Sequence, residues 1–207
     1  MQVEMIKILL KTKLFFVILT IGSVLKADPY SLANISQYLT NLKFLKADFL
    51  QTSADGTASS GAILIKRPGR MRFEYYKPDK TLVLISSGAL AIFDPKGDEE
   101  PVTYPIKNNP ISLVLTGEVD LLNSGIVENY EKNIEEAVLT IRDPKRPERG
   151  SVELVFTGAK PELKRFSIKN ENGSSTSILL NDIEYPKKIN ETLFSISLEI
   201  NKRKNRN

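Results

Sequence analysis

The sequence predicts a mainly β protein with some α structure, folded as an unclosed antiparallel β-barrel of about eleven strands with a helical lid. From Phe44 onward, short runs rich in Ile, Val, Phe and Tyr alternate between apolar and polar side chains. Turn-forming pairs such as Asp55-Gly56 and Asn172-Gly173 separate these runs. Because the chain has no cysteine, sheet and core packing alone must stabilise it.

A leading helix precedes the strands. Asp28 to Ser31 is typical of a helix start, since it combines Pro with capping-type residues. Leu32, Ile35, Leu39 and Leu42 then recur at spacings of three and four. This stripe predicts one amphipathic helix that ends near residue 43.

The strands form two groups, separated by an interruption at about residues 95–124. A long, curved antiparallel sheet must cover its apolar face. With three amphipathic helices and no second sheet, a half-closed barrel with helices in its mouth is the simplest architecture. Strands are expected near residues 44–52, 61–68, 70–77, 80–87 and 89–94, and again near 126–132, 135–142, 151–157, 162–170, 175–184 and 192–200.

The interruption is predicted to be a loop over residues 95–109, followed by two short helices. Pro110 suits the first turn of one helix, and Thr116 suits the cap of the second. Helices this short are stable only when they pack on something. Their apolar residues are the candidate lid: Ile111, Leu113, Val114, Leu115, Val119 and Leu122.

Residues 1–27 have the layout of a cleaved secretory signal peptide. Three lysines precede the apolar run Leu14 to Leu25, and Ala27 is a small residue suited to cleavage. The run is shorter than the about 20 residues that a spanning helix needs. An uncleaved membrane anchor is the alternative. The remaining chain is expected to form one domain over residues 28–200, with a solvated basic tail at 201–207 or, alternatively, a tail that contacts anionic lipid.

Composition excludes several functional classes. Residues 1–27 contain four of the 29 basic residues and one of the 25 acidic ones, so the mature chain is almost balanced in charge and no nucleic-acid partner is expected. Histidine and cysteine are absent, which excludes a Ser-His-Asp triad, a thiol nucleophile and an ordinary zinc site. No glycine-rich nucleotide motif is present. We expect no enzyme, cofactor or metal, although paired carboxylates leave a hydrolase formally open.

Several motifs in register resemble the LolA family of periplasmic lipoprotein carriers. The likeness extends from about residue 28 to 124, and the later strands agree mainly in pattern. The motifs are Phe49-Leu-Gln51, Gly61 to Pro68, Met71 to Tyr75, Pro78-Asp79, Ser87-Gly88, Phe93-Asp-Pro95 and Asn109 to Leu113.

The resemblance implies a monomeric chaperone in the Gram-negative periplasm, with an unclosed β-barrel and a helical lid over an apolar cavity. Such a carrier takes lipoproteins, by their acyl chains, from an ATP-driven ABC transporter in the inner membrane. It delivers them to an outer-membrane receptor or to the outer membrane itself. A lipid- or glycolipid-binding protein, or an envelope sensor, on the same half-barrel is the alternative function.

Strand alternation selects the side chains that line the expected acyl cavity. The same positions are equally compatible with an ordinary core. Arg67 shares the inward face of Ile63 and Ile65 near the rim, and the family implies a role in lid closure for the matching arginine; an exposed strand-end arginine is the alternative. The candidate cavity residues are Ala47, Phe49, Ile63, Ile65, Met71, Phe73, Tyr75 and Ile92.

Overall fold

The computed structural model describes residues 28–95 and 100–205. The expected signal peptide lies outside these residues, as do Asp98 and Glu99 of the acidic loop and the last two residues of the tail. In the described part, no helix is both long enough and apolar enough to cross a membrane.

The described chain contains two α-helices and eleven strands. Helix α1 is Leu32–Asn41 and helix α2 is Ile196–Lys204, and short 3-10 helices lie at Ile106–Asn108, Pro110–Leu113, Pro147–Arg149 and Glu191–Phe194. The strands are β1 Phe44–Thr52, β2 Ala58–Lys66, β3 Arg70–Tyr75, β4 Leu82–Ser86, β5 Ala89–Phe93, β6 Val102–Pro105, β7 Val127–Lys132, β8 Glu136–Arg142, β9 Ser151–Thr157, β10 Glu162–Lys169 and β11 Ser175–Glu184.

All eleven strands form one antiparallel sheet in the order β6-β5-β4-β3-β2-β1-β11-β10-β9-β8-β7. Strand β1 pairs with β11 and joins the two halves, with Phe49 opposite Leu180. The edge strands β6 and β7 do not pair with each other, so the barrel is unclosed. The predicted fold class is confirmed, and the segment between these two edges is the one predicted to form the lid.

Helix α1 follows the prediction closely. The Ser31 side chain caps it by accepting a hydrogen bond from the backbone N–H of Asn34 at 3.2 Å. Ile35 and Leu39 are buried in the core that fills the concave face of the sheet. The helix therefore occupies the inside of the half-barrel.

The strand expected at residues 192–200 is wrong. Phe194, Ile196, Leu198 and Ile200 alternate as in a strand, but the Ser195 side chain caps a helix by accepting from the N–H of Leu198 at 3.2 Å. In this helix Ile196 and Ile200 stand on one face, four residues apart. They pack on the convex side of the sheet against a second apolar cluster made of Leu82, Leu84, Ala91 and Phe93.

The tail does not begin at residue 201, because α2 continues to Lys204. Its Arg203 lies 4.7 Å from the centre of the Phe93 ring and donates to the carbonyl oxygen of Asp94 at 3.0 Å. The described part of the basic segment is therefore helical and is attached to the body through Arg203, while Lys202 and Lys204 are exposed.

The region expected to be a loop and two helices also differs. Strand β6 forms inside the predicted loop, where its four residues are too few to show alternation. The first inserted helix is a 3-10 turn at Pro110–Leu113, and the second does not form. The Thr116 hydroxyl donates to the carbonyl of Glu118 at 2.7 Å instead of capping a helix, and Asp120 accepts from the N–H of Asn123 at 2.9 Å, which forms a turn.

Candidate ligand cavity and lid

The concave face of β1, β2 and β3 carries the predicted apolar wall. Ala47, Phe49, Ile63, Ile65, Met71 and Phe73 are all buried there, and Tyr75 is half-buried against them. The Phe49 ring makes edge-to-face contacts with Phe73 at 5.5 Å and Tyr75 at 5.1 Å between centroids. The Tyr75 hydroxyl is satisfied by Gln51 Oε1 at 2.6 Å, so an otherwise apolar wall contains this polar group without leaving it unpaired.

Glycine at position 61 makes this packing possible. A β-carbon there would lie 2.3 Å from the carbonyl oxygen of Glu74 and 2.7 Å from the Phe49 ring. The absence of a side chain lets the ring lie directly over the strand. The sequence suggested no such role for Gly61 beyond its place in a motif.

Ile92 does not share the position of the other candidates. It lies opposite Val83, on the inward face of β5, and is only half-buried. The central cluster does not include it. The structure places it at the open side of the sheet, near the edge strand β6.

The lid is a bent segment, Ile106 to Leu122, that crosses the mouth of the half-barrel. Four of the six candidates, Ile111, Val114, Leu115 and Val119, are buried in the central cluster, and Leu113 is half-buried against it. Leu122 is 60% exposed and contributes nothing to the interior. Its neighbour Leu121 is buried instead, because the turn at Asp120 reverses the side chains.

Arg67 lies under this lid, where only 8% of its surface is exposed. Its Nη2 donates to the carbonyl oxygen of Thr116. Two residues later the backbone N–H of Gly69 donates to the carbonyl oxygen of Leu115 at 2.8 Å. The turn between β2 and β3 therefore holds the lid at two consecutive carbonyls.

The remaining Arg67 donors are not satisfied. Nε and Nη1 are buried and have no hydrogen-bond partner among the described residues. Burial among apolar side chains lowers the pKa of the Arg67 guanidinium to about 10, so it remains charged at neutral pH. Burying a charged group whose hydrogen bonds are only partly satisfied destabilises the closed lid. The one hydrogen bond that the guanidinium makes stabilises it.

Helix α1 holds the lid from the opposite side. The Ser36 hydroxyl donates to the carbonyl oxygen of Val119 and accepts from the N–H of Leu121 at 3.3 Å. The Thr40 hydroxyl accepts from the N–H of Val119 at 3.4 Å. Sequence reasoning missed these two residues, although hydroxyl side chains four residues apart on an otherwise amphipathic helix were a visible signal.

Little space remains inside. A void of only about 30 Å³ lies between the barrel wall and the lid, whereas pockets that hold small ligands have about 300–1,000 Å³. It is lined by Leu39, Leu42, Ile65, Arg67, Met71, Ile111, Val114, Leu115, Leu154, Leu163 and Phe166. The protein's own side chains fill the interior. A ligand of any length can therefore enter only if the lid moves, either alone or together with α1.

The described residues contain no cluster of three or more potential metal ligands of the Asp, Glu, His and Cys types. The polar groups of the described interior include the Arg67 guanidinium, the Tyr75–Gln51 pair, the hydroxyls that hold the lid, and the Tyr30 hydroxyl, which donates to the carbonyl oxygen of Glu135 at 2.6 Å. The arrangement is suited to enclosing apolar groups.

Comparison with known proteins finds similar sequences in one family. A family profile described as outer membrane lipoprotein carrier protein LolA matches residues 40–197. An outer-membrane lipoprotein carrier protein of Methylococcus capsulatus is 25% identical over 187 residues, which cover 85% of this chain and 88% of the relative. One from Coxiella burnetii is 30% identical over 108 residues, 48% of this chain and 51% of the relative. The crystal structure of a LolA superfamily protein from Nitrosomonas europaea superposes with a TM-score of 0.43 at 10% identity, and covers 80% of this chain and 97% of the other.

Proposed function

The chain belongs to the LolA family, and from that premise we propose that it is a periplasmic carrier that moves lipoproteins from the inner to the outer membrane. The relatives named as outer-membrane lipoprotein carriers support the class of cargo. The signal-like residues 1–27 support the compartment. The role proposed is binding and transfer, without catalysis.

The physical need for such a carrier is large. Exposing an acyl chain of about 15 methylenes to water costs about 12 kcal/mol, at roughly 0.8 kcal/mol for each. A lipoprotein with several chains therefore cannot cross an aqueous compartment unassisted. The concave wall of Ile63, Ile65, Met71 and Phe73 offers the apolar surface that would replace the membrane.

The observation that carries the proposal is a lid that closes an apolar interior through a small number of polar contacts. Opening it breaks the bond from Arg67 to Thr116, the bond from Gly69 to Leu115, and the bonds of Ser36 and Thr40 to the segment 119–121. It also returns the unsatisfied Arg67 guanidinium to water. The buried guanidinium therefore offsets part of the stability that the apolar lid residues give the closed state, and a carrier that must exchange cargo needs such an offset.

Transfer would proceed from weaker to stronger binding partners. The chain contains no nucleotide-binding motif, so energy must come from elsewhere. We propose that an ABC transporter of the inner membrane loads the open state and that an outer-membrane receptor, or the outer membrane itself, receives the cargo. The closing bond from Arg67 to Thr116 would favour release, because it forms only after the acyl chains leave.

Native mass spectrometry of the protein purified from periplasm tests the cargo. Complexes with triacylated lipoproteins support the proposal. Bound phospholipid or glycolipid without lipoprotein would contradict it and favour a lipid-binding role. Arg67→Leu, purified in parallel, should retain more bound lipoprotein than the unsubstituted chain, and a matched exposed variant, Arg165→Leu, should not.

A further inference from the structure

An open groove of about 740 Å³ lies on the outside of the molecule, on the far side of α1 from the lid. Three separate segments form it: α1 with its junction to β1, the turn between β9 and β10, and the chain after β11. None of the predicted acyl-binding residues of β2 and β3 lines it, although Leu42 borders both this groove and the interior void. Its lining is Pro29, Asn34, Gln37, Tyr38, Asn41, Leu42, Lys43, Phe44, Ala159, Lys160, Pro161, Tyr185 and Pro186.

The charge of the groove has one sign. Lys43 and Lys160 line it, and Lys187 and Lys188 follow directly after the lining residue Pro186. Within the described part of the chain none of these lysines forms an ion pair. The described lining contains no carboxylate. Such a surface attracts an anionic partner.

The carboxylates next in sequence to lining residues are already engaged: Asp28 pairs with Lys132, Glu184 with Lys46, and Glu162 with Tyr185. Glu162 accepts a hydrogen bond from the Tyr185 hydroxyl at 3.1 Å, and the Tyr185 and Tyr38 hydroxyls are 3.1 Å apart. This chain of bonds fixes the two rings as a rigid wall. Tyr185 remains 48% exposed, so its ring is available to a ligand.

The remaining lining indicates which anionic partner would fit. Tyr38 and Tyr185 line the groove together with Pro161 and Pro186, and grooves lined by aromatic rings bind extended, proline-containing polypeptide. Gln37 and Asn41 are exposed on α1 and present amide groups that can pair with a peptide backbone. An acyl chain has no polar or charged group that could pair with these amides and lysines.

Helix α1 has three faces with three different contacts. Ile35 and Leu39 enter the core, Ser36 and Thr40 hold the lid segment, and Asn34, Gln37 and Asn41 line the groove. The same rigid helix therefore touches both the groove and the lid. A displacement of this helix by a partner on the groove face would also move the hydroxyls that hold Val119 and Leu121.

We propose that this groove docks an acidic, extended segment of a partner protein, and that α1 transmits the docking to the lid. The docking step is independent of the cargo, whereas the transmission step rests on the proposed carrier function. In this scheme the partner loosens the lid at the moment of transfer. An empty carrier away from its partner stays closed.

Fluorescence anisotropy with a labelled peptide of repeating Glu-Pro units tests the docking. The mature chain should bind this peptide, and should bind the Gln-Pro analogue about tenfold more weakly. Added salt should lower the affinity for the acidic peptide. The double variant Lys43→Gln/Lys160→Gln should lose about tenfold in affinity. The matched control Lys145→Gln/Lys169→Gln, which removes two exposed lysines elsewhere, should bind as the unsubstituted chain does.

Equal binding by both double variants would overturn the docking site. Equal affinity for the acidic and neutral peptides would overturn it as well, and so would binding to anionic vesicles in place of the peptide. The effect of docking on the lid is measured separately by hydrogen exchange. Exchange at the Val119 and Leu121 amides should be faster when the Glu-Pro peptide is bound. Cargo uptake measured on the double lysine variant distinguishes failure of the docking proposal from failure of the proposed carrier function. The variant should still take up cargo, because uptake does not require the partner.

Discussion

The guanidinium of Arg67 donates a hydrogen bond to the carbonyl oxygen of Thr116, 49 residues further along the chain. This contact joins the end of β2 to the lid. It is made by a side chain whose other buried nitrogens have no partner, so its net contribution to the closed state is the balance of a favourable bond and an unfavourable burial. The balance can be moved by single substitutions.

Replacing the arginine tests that balance. Arg67→Leu cannot donate to Thr116 and adds apolar surface to the cavity wall. The loaded state should therefore become more stable relative to the empty closed state. A hydrogen bond to a charged group contributes about 1.5–3 kcal/mol, so release of cargo should slow by about tenfold or more. The measurement is transfer of a fluorescent triacylated lipopeptide to acceptor vesicles. Release at the unsubstituted rate would exclude a lid-closing role.

The contact between α1 and the lid is tested by Ser36→Ala. The variant removes the donor to Val119 and the acceptor for Leu121, which should weaken the closed lid by about 1 kcal/mol. Hydrogen exchange at the Leu121 amide should accelerate about fivefold. Gln37→Ala, on the same helix but facing the groove, is the control. Equal exchange rates in both variants would show that Ser36 does not hold the lid.

The close packing at position 61 predicts a stability difference between two glycines. Gly61→Ala would place a β-carbon against the Glu74 carbonyl and the Phe49 ring, and should lower the free energy of unfolding by about 1–3 kcal/mol. Gly117→Ala meets no atom within 4 Å and should change stability by less than about 0.5 kcal/mol. Urea denaturation measures both. A Gly61→Ala variant as stable as Gly117→Ala would contradict the packing described.

The convex-side helix makes a similar prediction. Phe194 is buried at 1% exposure just before α2, and Phe194→Ala should destabilise the protein by about 3–5 kcal/mol. Leu198 is 49% exposed on α2, and Leu198→Ala should be nearly neutral. Thermal unfolding compares them. If the two variants melt together, the C-terminal segment does not pack as described.

Local pattern was sufficient where each residue's environment is set by its own strand. The inward positions of Phe49, Ile63, Met71 and Phe73 follow from alternation, and the same alternation orients Arg67 two residues beyond Ile65. The start of α1 follows from the cap at Ser31. These features depend on neighbours in sequence, so the sequence predicts them.

Tertiary contacts decided the rest. Residues 192–200 alternate like a strand, yet the apolar cluster around Phe93 on the convex side favours a helix that brings Ile196 and Ile200 together. In the lid, the turn at Asp120 buries Leu121 in place of Leu122. The groove beside α1 joins three distant segments, and no local pattern indicates that they meet.

The most direct test of the central claim uses the absence of tryptophan from the chain. A single Trp introduced by Phe73→Trp reports from the cavity wall, and one introduced by Leu50→Trp reports from the outer face of a nearby strand. With a triacylated lipopeptide carrying brominated acyl chains, we predict strong quenching of the Trp at position 73 and little at position 50. Equal quenching at both positions, or none at position 73, would contradict binding of acyl chains inside the half-barrel.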